Sequence, residues 1–190
     1  MRPANHTVEP DVVPTEPQQD LGFDQFDLNP NLLSAVKGLG FETPTPIQAE
    51  AIPVLLSGKD VIGRARTGSG KTAAFGLPLL DRISERSGGV RALVLAPTRE
   101  LAVQVSQALQ DYAAGSRIRV STIYGGVAYG PQLRDLRNGT PVVVGTPGRL
   151  LDLLDRGNLD LSNVDLVVVD EADEMLRMGF IEDVARLLEA

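Results

Sequence analysis

Short, uninterrupted apolar runs alternate along this chain with stretches in which apolar residues recur every three or four positions. Leu93-Val94-Leu95, Val142-Val143-Val144 and the run from Leu166 to Val169 lack polar alternation. That is the pattern of strands buried on both faces, as in a parallel sheet held between helix layers. Strands are expected at 60–63, 91–96, 118–123, 141–145 and 165–169. Helical spacing predicts helices at 71–85, 99–113, 131–138, 148–156 and 181–189. Upstream, Asn29-Pro30 offers a cap and a first-turn proline to a helix whose apolar positions are Leu32, Leu33, Val36 and Leu39, and Gly40 ends it. Strand and helix alternating in this way predict an α/β fold, a three-layer sandwich with a mostly parallel central sheet. In such sheets ligands bind beyond the carboxyl ends of the strands, and the unusual residues of this sequence cluster there.

Composition narrows the chemistry. The 190 residues suit one domain. With no cysteine there is no disulfide framework and no thiol nucleophile, and the single histidine, His6, lies in a Pro-rich leader. Catalysis is left to carboxylates, Lys, Arg, hydroxyls, backbone amides and oxygen-bound ions such as magnesium. No apolar run approaches the roughly 20 residues needed to cross a bilayer, and the start has no apolar core for a secretion signal. A soluble, cytoplasmic protein with no membrane partner is expected. Residues 1–22 form an acidic leader carrying Pro3, Pro10, Pro14 and Pro17, expected to be disordered, and 23–190 the domain.

The net charge of −7 argues against a polyanionic partner only until it is divided along the chain. Residues 1–27 carry one base and six acids, residues 28–159 fifteen bases and ten acids, and residues 160–190 two bases and nine acids. Binding to phosphate depends on the local field, and the middle segment is net positive.

Ala65-Arg66-Thr67-Gly68-Ser69-Gly70-Lys71-Thr72 stands between an expected strand and an expected helix. It fits the phosphate-cradling loop with alanine in the first glycine position. Gly68 and Gly70 let successive amides turn inward, the helix N-terminus adds partial positive charge, Lys71 reaches the β and γ phosphates and Thr72 ligates magnesium. Asp170-Glu171 follows the last apolar run. Asp170 can hold the magnesium shell, and Glu171 can orient and deprotonate a water attacking the γ-phosphate. Alone, the pair would read equally well as an acidic helix start favoured by the dipole; beside the phosphate loop the hydrolytic reading prevails. Thr45-Pro46-Ile47-Gln48 is a capping box by spacing, which by itself accounts for Gln48.

Asp170-Glu171-Ala172-Asp173 together with the 65–72 loop resembles the DEAD-box RNA helicases of superfamily 2, from Phe23 to the C-terminus. The fold implied is RecA-like, of the phosphate-loop NTPase class. Gly40 to Gln48 is similar to the family's Q motif, which implies that Gln48 reads the adenine edge of ATP beside Thr45, with Phe23 the isolated upstream aromatic. The implied ATP cradle is Thr67, Gly68, Ser69, Gly70, Lys71 and Thr72. Pro97-Thr98-Arg99, Gly125-Gly126 and Thr146-Pro147-Gly148-Arg149 resemble RNA-contacting segments, which implies a grip on the sugar-phosphate backbone with little base preference. Arg66 stands where glutamine is commoner, and its side chain is expected to avoid the phosphates. The resemblance also implies a Ser-Ala-Thr strand beside the one ending at Asp170, and a second RecA-like domain with arginine fingers. Neither is in these 190 residues, so the domain is expected to be incomplete, Asp173 to lack its partner, and RNA-stimulated turnover by this chain alone to be small. Two alternatives stay open: a non-catalytic nucleotide- or RNA-binding fragment, and a DNA helicase or other phosphate-loop ATPase, against which the Q motif and the literal Asp-Glu-Ala-Asp weigh.

Overall fold

A computed structural model describes residues 22–66, 68–83 and 88–190. Residues 1–21 of the leader and Thr67 fall outside the described residues, as do residues 84 and 85 at the end of one expected helix. Four strands, β1 (Ala92–Leu95), β2 (Val120–Ile123), β3 (Val142–Gly145) and β4 (Leu166–Val169), form one parallel sheet in the order β2-β3-β1-β4. Parallel neighbours require crossovers, and α-helices lie between successive strands as well as before and after the sheet. In chain order these are α1 (Pro30–Gly38), α2 (Pro46–Leu56), α3 (Lys71–Ile83), α4 (Arg99–Tyr112), α5 (Tyr129–Arg137), α6 (Pro147–Asp155), α7 (Ala172–Arg177) and α8 (Ile181–Leu188).

The period of two along each strand divides the core into two layers. Ala92, Val94, Val120, Val142 and Val144 point to one face, where they pack with Leu32 and Val36 of α1, Ile52 of α2, Leu77 and Leu80 of α3 and Val105 and Leu109 of α4. Leu93, Leu95, Ile123 and Val143 point to the other, against Leu150, Leu151 and Leu153 of α6, Met175 of α7 and Leu187 of α8. Each such fully buried aliphatic side chain contributes roughly 1.5–3 kcal/mol, so the central strands β1 and β3 are what hold the layers together.

Four of the five expected strands are present, each trimmed by one or two residues. Residues 60–63 do not form one: the segment is irregular, with Val61 and Ile62 exposed, Ile62 at 96%. A strand needs a neighbour to take its hydrogen bonds, and among the described residues nothing pairs with the outer edge of β4, where Val167 is 42% exposed. The expected helix at 131–138 begins at Tyr129, and that at 148–156 begins at Pro147, whose fixed φ suits a first turn. Helix α7 is the helix whose acidic start Asp170-Glu171 offers by sequence; its six residues, Ala-Asp-Glu-Met-Leu-Arg, are too short for a periodicity to mark its bounds.

The carboxyl ends of the strands share one level. Leu95 is in register with both Gly145 and Val169, and Gly145 with Ile123. The ladder continues one residue further: Ala96 N donates to Gly145 O at 2.9 Å, Thr146 N to Ile123 O at 3.0 Å and Asp170 N to Leu95 O at 3.0 Å. Gly145 permits this closeness, since a Cβ there would come within 2.6 Å of the Ile123 carbonyl oxygen and 3.0 Å of Leu150. Backbone cannot swing aside as a side-chain tip can. Gly145→Ala is therefore expected to lower stability by about 1–3 kcal/mol, read as a fall in melting temperature; an unchanged melting curve would contradict the close approach.

Candidate functional site

Every segment that the sequence marks as functional, apart from Phe23 and the 45–48 box, emerges from the carboxyl edge of the sheet or leads into α3. Pro97 to Arg99 follow β1, Gly125-Gly126 follow β2, Thr146 to Arg149 follow β3 and Asp170-Glu171 follow β4. Register carries Asp170 to the tip, and a short reach from α3 closes the site. Lys71 Nζ lies 2.7 Å from Glu171 Oε1, joining residues 100 positions apart, with both side chains part-buried.

Glu171 is held in an unusual way. Its φ of 51° and ψ of 50° are left-handed, the only positive φ outside glycine among the described residues. A non-glycine residue there is strained, and such strain persists where the surroundings over-determine it. Here β4 ends at Val169 and α7 begins at Ala172, so the two residues between, Asp170 and Glu171, must turn the chain. Asp170 is 9% exposed, and its Oδ1 accepts from the Glu171 amide at 3.1 Å. Burial, followed by the neighbouring Glu171 charge, raises its carboxyl above the ordinary value, with Lys71 pulling the other way. Asp170 is thus a carboxylate short of positive charge. Among the described residues no three acidic or imidazole side chains cluster as a cation cage.

The loop before α3 is shaped by its glycines. Gly68 and Gly70 have φ of 78° and 90°, values a side chain would strain. Gly70 also sits against the 45–48 box: a Cβ there would collide with the Gln48 amide and approach Thr45 Oγ1. Gln48 is 3% exposed. Its Oε1 accepts from Thr45 N at 2.9 Å, the cap predicted by spacing, and its Nε2 donates to Gly70 O at 3.1 Å. Thr45 Oγ1 occupies the reciprocal place in the box without reaching hydrogen-bond geometry and is a buried hydroxyl with no partner among the described residues, as is Ser69 Oγ in the loop itself. Arg66 is exposed. Phe23 is 2% exposed, its ring against Phe26 and Phe41 with centroids 5.9 and 6.0 Å away. It braces the segment that carries Gln48 and presents no free face.

The remaining tips carry two arginines, Arg99 and Arg149. Thr98 Oγ1 accepts from Leu101 N at 3.2 Å, capping α4 and fixing where Arg99 leaves the helix. Pro97 and Pro147 are buried, while Arg99, Gly125, Gly126 and Gly148 are exposed. Arg149 donates to Val127 O at 3.1 Å and to Gln132 Oε1 at 3.3 Å, and Gln132 Nε2 donates to Tyr124 O at 3.0 Å. Gln132, 5% exposed, ties the Gly125-Gly126 turn to α6, a role the sequence did not announce because a lone glutamine on a polar helix has no distinguishing pattern. Asp173, expected to lack its partner, forms an ion pair with Arg177 at 2.9 Å; both side chains are largely exposed, so this bond adds little to stability.

Comparison with known proteins matches this arrangement. The DEAD/DEAH box helicase family profile covers residues 45–190. The ATP-dependent RNA helicase DeaD of Escherichia coli K12 is 57% identical over 167 residues, 87% of this chain and 27% of that protein. The DEAD-box ATP-dependent RNA helicase CshA of Bacillus subtilis is 52% identical over 166 residues, 87% of this chain and 34% of that protein. The crystal structure of a DEAD box protein from the hyperthermophile Methanococcus jannaschii superposes with a TM-score of 0.84 at 45% identity, over 89% of this chain and 46% of that one. The architecture is accordingly RecA-like. The chain spans between a quarter and about a third of the length of these curated relatives. With the family profile covering most of its residues, the chain belongs to the DEAD/DEAH box helicases.

Proposed function

We propose that this domain binds ATP and single-stranded RNA along the carboxyl edge of its sheet, and that in the whole protein ATP hydrolysis drives local separation of RNA duplexes. The observation that carries the reading is the meeting of Lys71 and Glu171 at 2.7 Å beside a glycine-turned loop whose buried Ser69 hydroxyl has no partner among the described residues. An ammonium at a helix start, inward-turned backbone and an idle hydroxyl are what phosphate oxygens require. Thr67, between Arg66 and Gly68, belongs to the same cradle by sequence.

In this reading Glu171 stands in for the nucleotide. The β and γ phosphates take over Lys71, which frees Glu171 to orient a water and accept its proton. Thr72 Oγ1 and the Asp170 carboxylate fit a magnesium ion: both are hard oxygen donors, and Asp170 is buried beside another acid with too little positive charge nearby. When bound, that ion would neutralise charge developing on the β and γ phosphates. Gln48 keeps a second amide N–H and a second lone pair beyond its bonds to Gly70 and Thr45, the donor and acceptor that an adenine edge needs. The Thr45–Gln48 box and Phe23 hold that amide in place. Pro97 to Arg99, Gly125-Gly126 and Thr146 to Arg149 offer RNA two arginines and exposed backbone, which suits phosphate and ribose contacts. Transition-state charge on the γ-phosphate calls for a cation such as an arginine of a second RecA-like domain. A cytoplasmic location fits these partners, and among the described residues no helix is long and apolar enough to cross a membrane.

Lys71→Ala should abolish binding of a fluorescent ATP analogue; unchanged affinity would sink the phosphate-loop assignment. Glu171→Gln should bind nucleotide at least as tightly as wild type, because it removes the anion competing for Lys71. The same change should slow ATP turnover by about 10²–10⁴, and near-normal turnover would exclude Glu171 as the base. Gln48→Ala should both lower the melting temperature and narrow the preference for ATP over GTP. A fall in melting temperature with selectivity intact would reduce Gln48 to a helix cap.

A further inference from the structure

The chain has three tyrosines, and two of them flank the Gly125-Gly126 turn, each beneath an arginine assigned to the RNA surface. The Arg99 guanidinium carbon lies 4.8 Å from the Tyr124 ring centroid, and that of Arg149 lies 4.2 Å from the centroid of Tyr129. The second pair is the more tightly built. Tyr129 Oη donates to Asp152 Oδ2 at 2.7 Å, Asp152 Oδ1 accepts from Arg156 Nε at 2.7 Å, and the Arg156 guanidinium lies 5.1 Å from the same ring. The Tyr129 hydroxyl, ahead of Arg156, holds the Asp152 carboxyl below its ordinary range, so the carboxylate stays ionised and the ring tethered near neutral pH.

We propose that Tyr129 is a positioning residue for RNA binding: anchored through Asp152, its ring holds Arg149 flat so that the guanidinium N–H groups not used within the protein meet an RNA phosphate. Two of the five N–H donors go to Val127 O and Gln132 Oε1, which leaves three. Without the ring, an arginine retaining two bonds near 3.2 Å is free to swing about its long stem, and ordering it again is a cost carried by RNA binding. The ring's negative face and the guanidinium attract each other as a cation–π pair, so aromatic character matters more than the hydroxyl. The inference rests on the RNA reading of Arg149 given above.

The test is fluorescence anisotropy of a labelled oligouridine with the full chain, alongside the NMR shift of the Arg149 Nε–H proton, which ring current moves upfield while the stack exists. Tyr129→Leu should abolish the upfield shift and lower RNA affinity about three- to tenfold. Tyr129→Phe should keep the shift and stay within about twofold of wild type. In an Arg149→Ala background, Tyr129→Leu should add no further loss, which a general structural role would not predict. Melting curves check that each variant is folded. If Arg149→Ala lowers affinity but Tyr129→Leu alone does not, or if the two losses simply add, the positioning role is overturned. If Arg149→Ala leaves affinity unchanged although the upfield Nε–H shift shows the stack in the wild-type chain, the RNA reading of Arg149 falls, and the role built on it falls too.

Discussion

One row of the parallel ladder sets the positions of almost everything chemical in this chain. Ile123, Gly145, Leu95 and Val169 stand side by side across the four strands. The residues that follow each of them therefore emerge at one edge and on one level. A slip of one residue in any strand would exchange the side chains sent to the two core layers and move Gly145 out of its close contact with Ile123, so packing fit, and not the tips themselves, holds the register. Gly145 marks how tight the constraint is, because the row closes only where one residue has no side chain. Chemistry is thus assembled from segments far apart in sequence, as Lys71 and Glu171 show.

The site is also a place where unfavourable electrostatics are retained. Asp170 is buried next to another carboxylate, and Glu171 is held in a left-handed conformation. Neither would be kept for stability alone. The Lys71–Glu171 bond offsets part of this, but a partly exposed pair contributes about 1 kcal/mol or less net. A polyphosphate with several charges and backbone amides to receive it has far more to offer the lysine. In the proposed reading, the resting pair is a weak placeholder that aligns the cation and yields it to phosphate.

Much of this was legible in the sequence because it depends on local pattern. The apolar runs of β1, β3 and β4 announce strands, the Gly68–Gly70 spacing before Lys71-Thr72 announces a phosphate loop, and the spacing of Thr45 and Gln48 announces the cap that the structure forms through Gln48. What was not legible depends on partners. Residues 60–63 have strand-like composition but take no place in the sheet among the described residues, and the burial of Phe23 follows from its packing against Phe26 and Phe41. Gln132 and Tyr129 acquire meaning only once α5 is packed beside α6, and the left-handed Glu171 follows from how closely β4 abuts α7, which no residue type signals. The Gln48–Gly70 bond belongs to this second group too, since it joins two motifs that each look self-sufficient.

The central claim is that the loop before α3, the strand tip at Asp170-Glu171 and the 45–48 box form one nucleotide site. A titration of the isotope-labelled chain with a non-hydrolysable ATP analogue and magnesium, followed by amide chemical shifts in NMR spectra, tests it most directly. The account predicts that the largest changes fall together on Gly68 to Thr72, on Asp170 and Glu171, and on Thr45 to Gln48, with one common affinity. Shifts confined to the opposite, amino-terminal edge of the sheet, around Asn29, Arg117 and Pro141, with the loop and Glu171 unmoved, would contradict it.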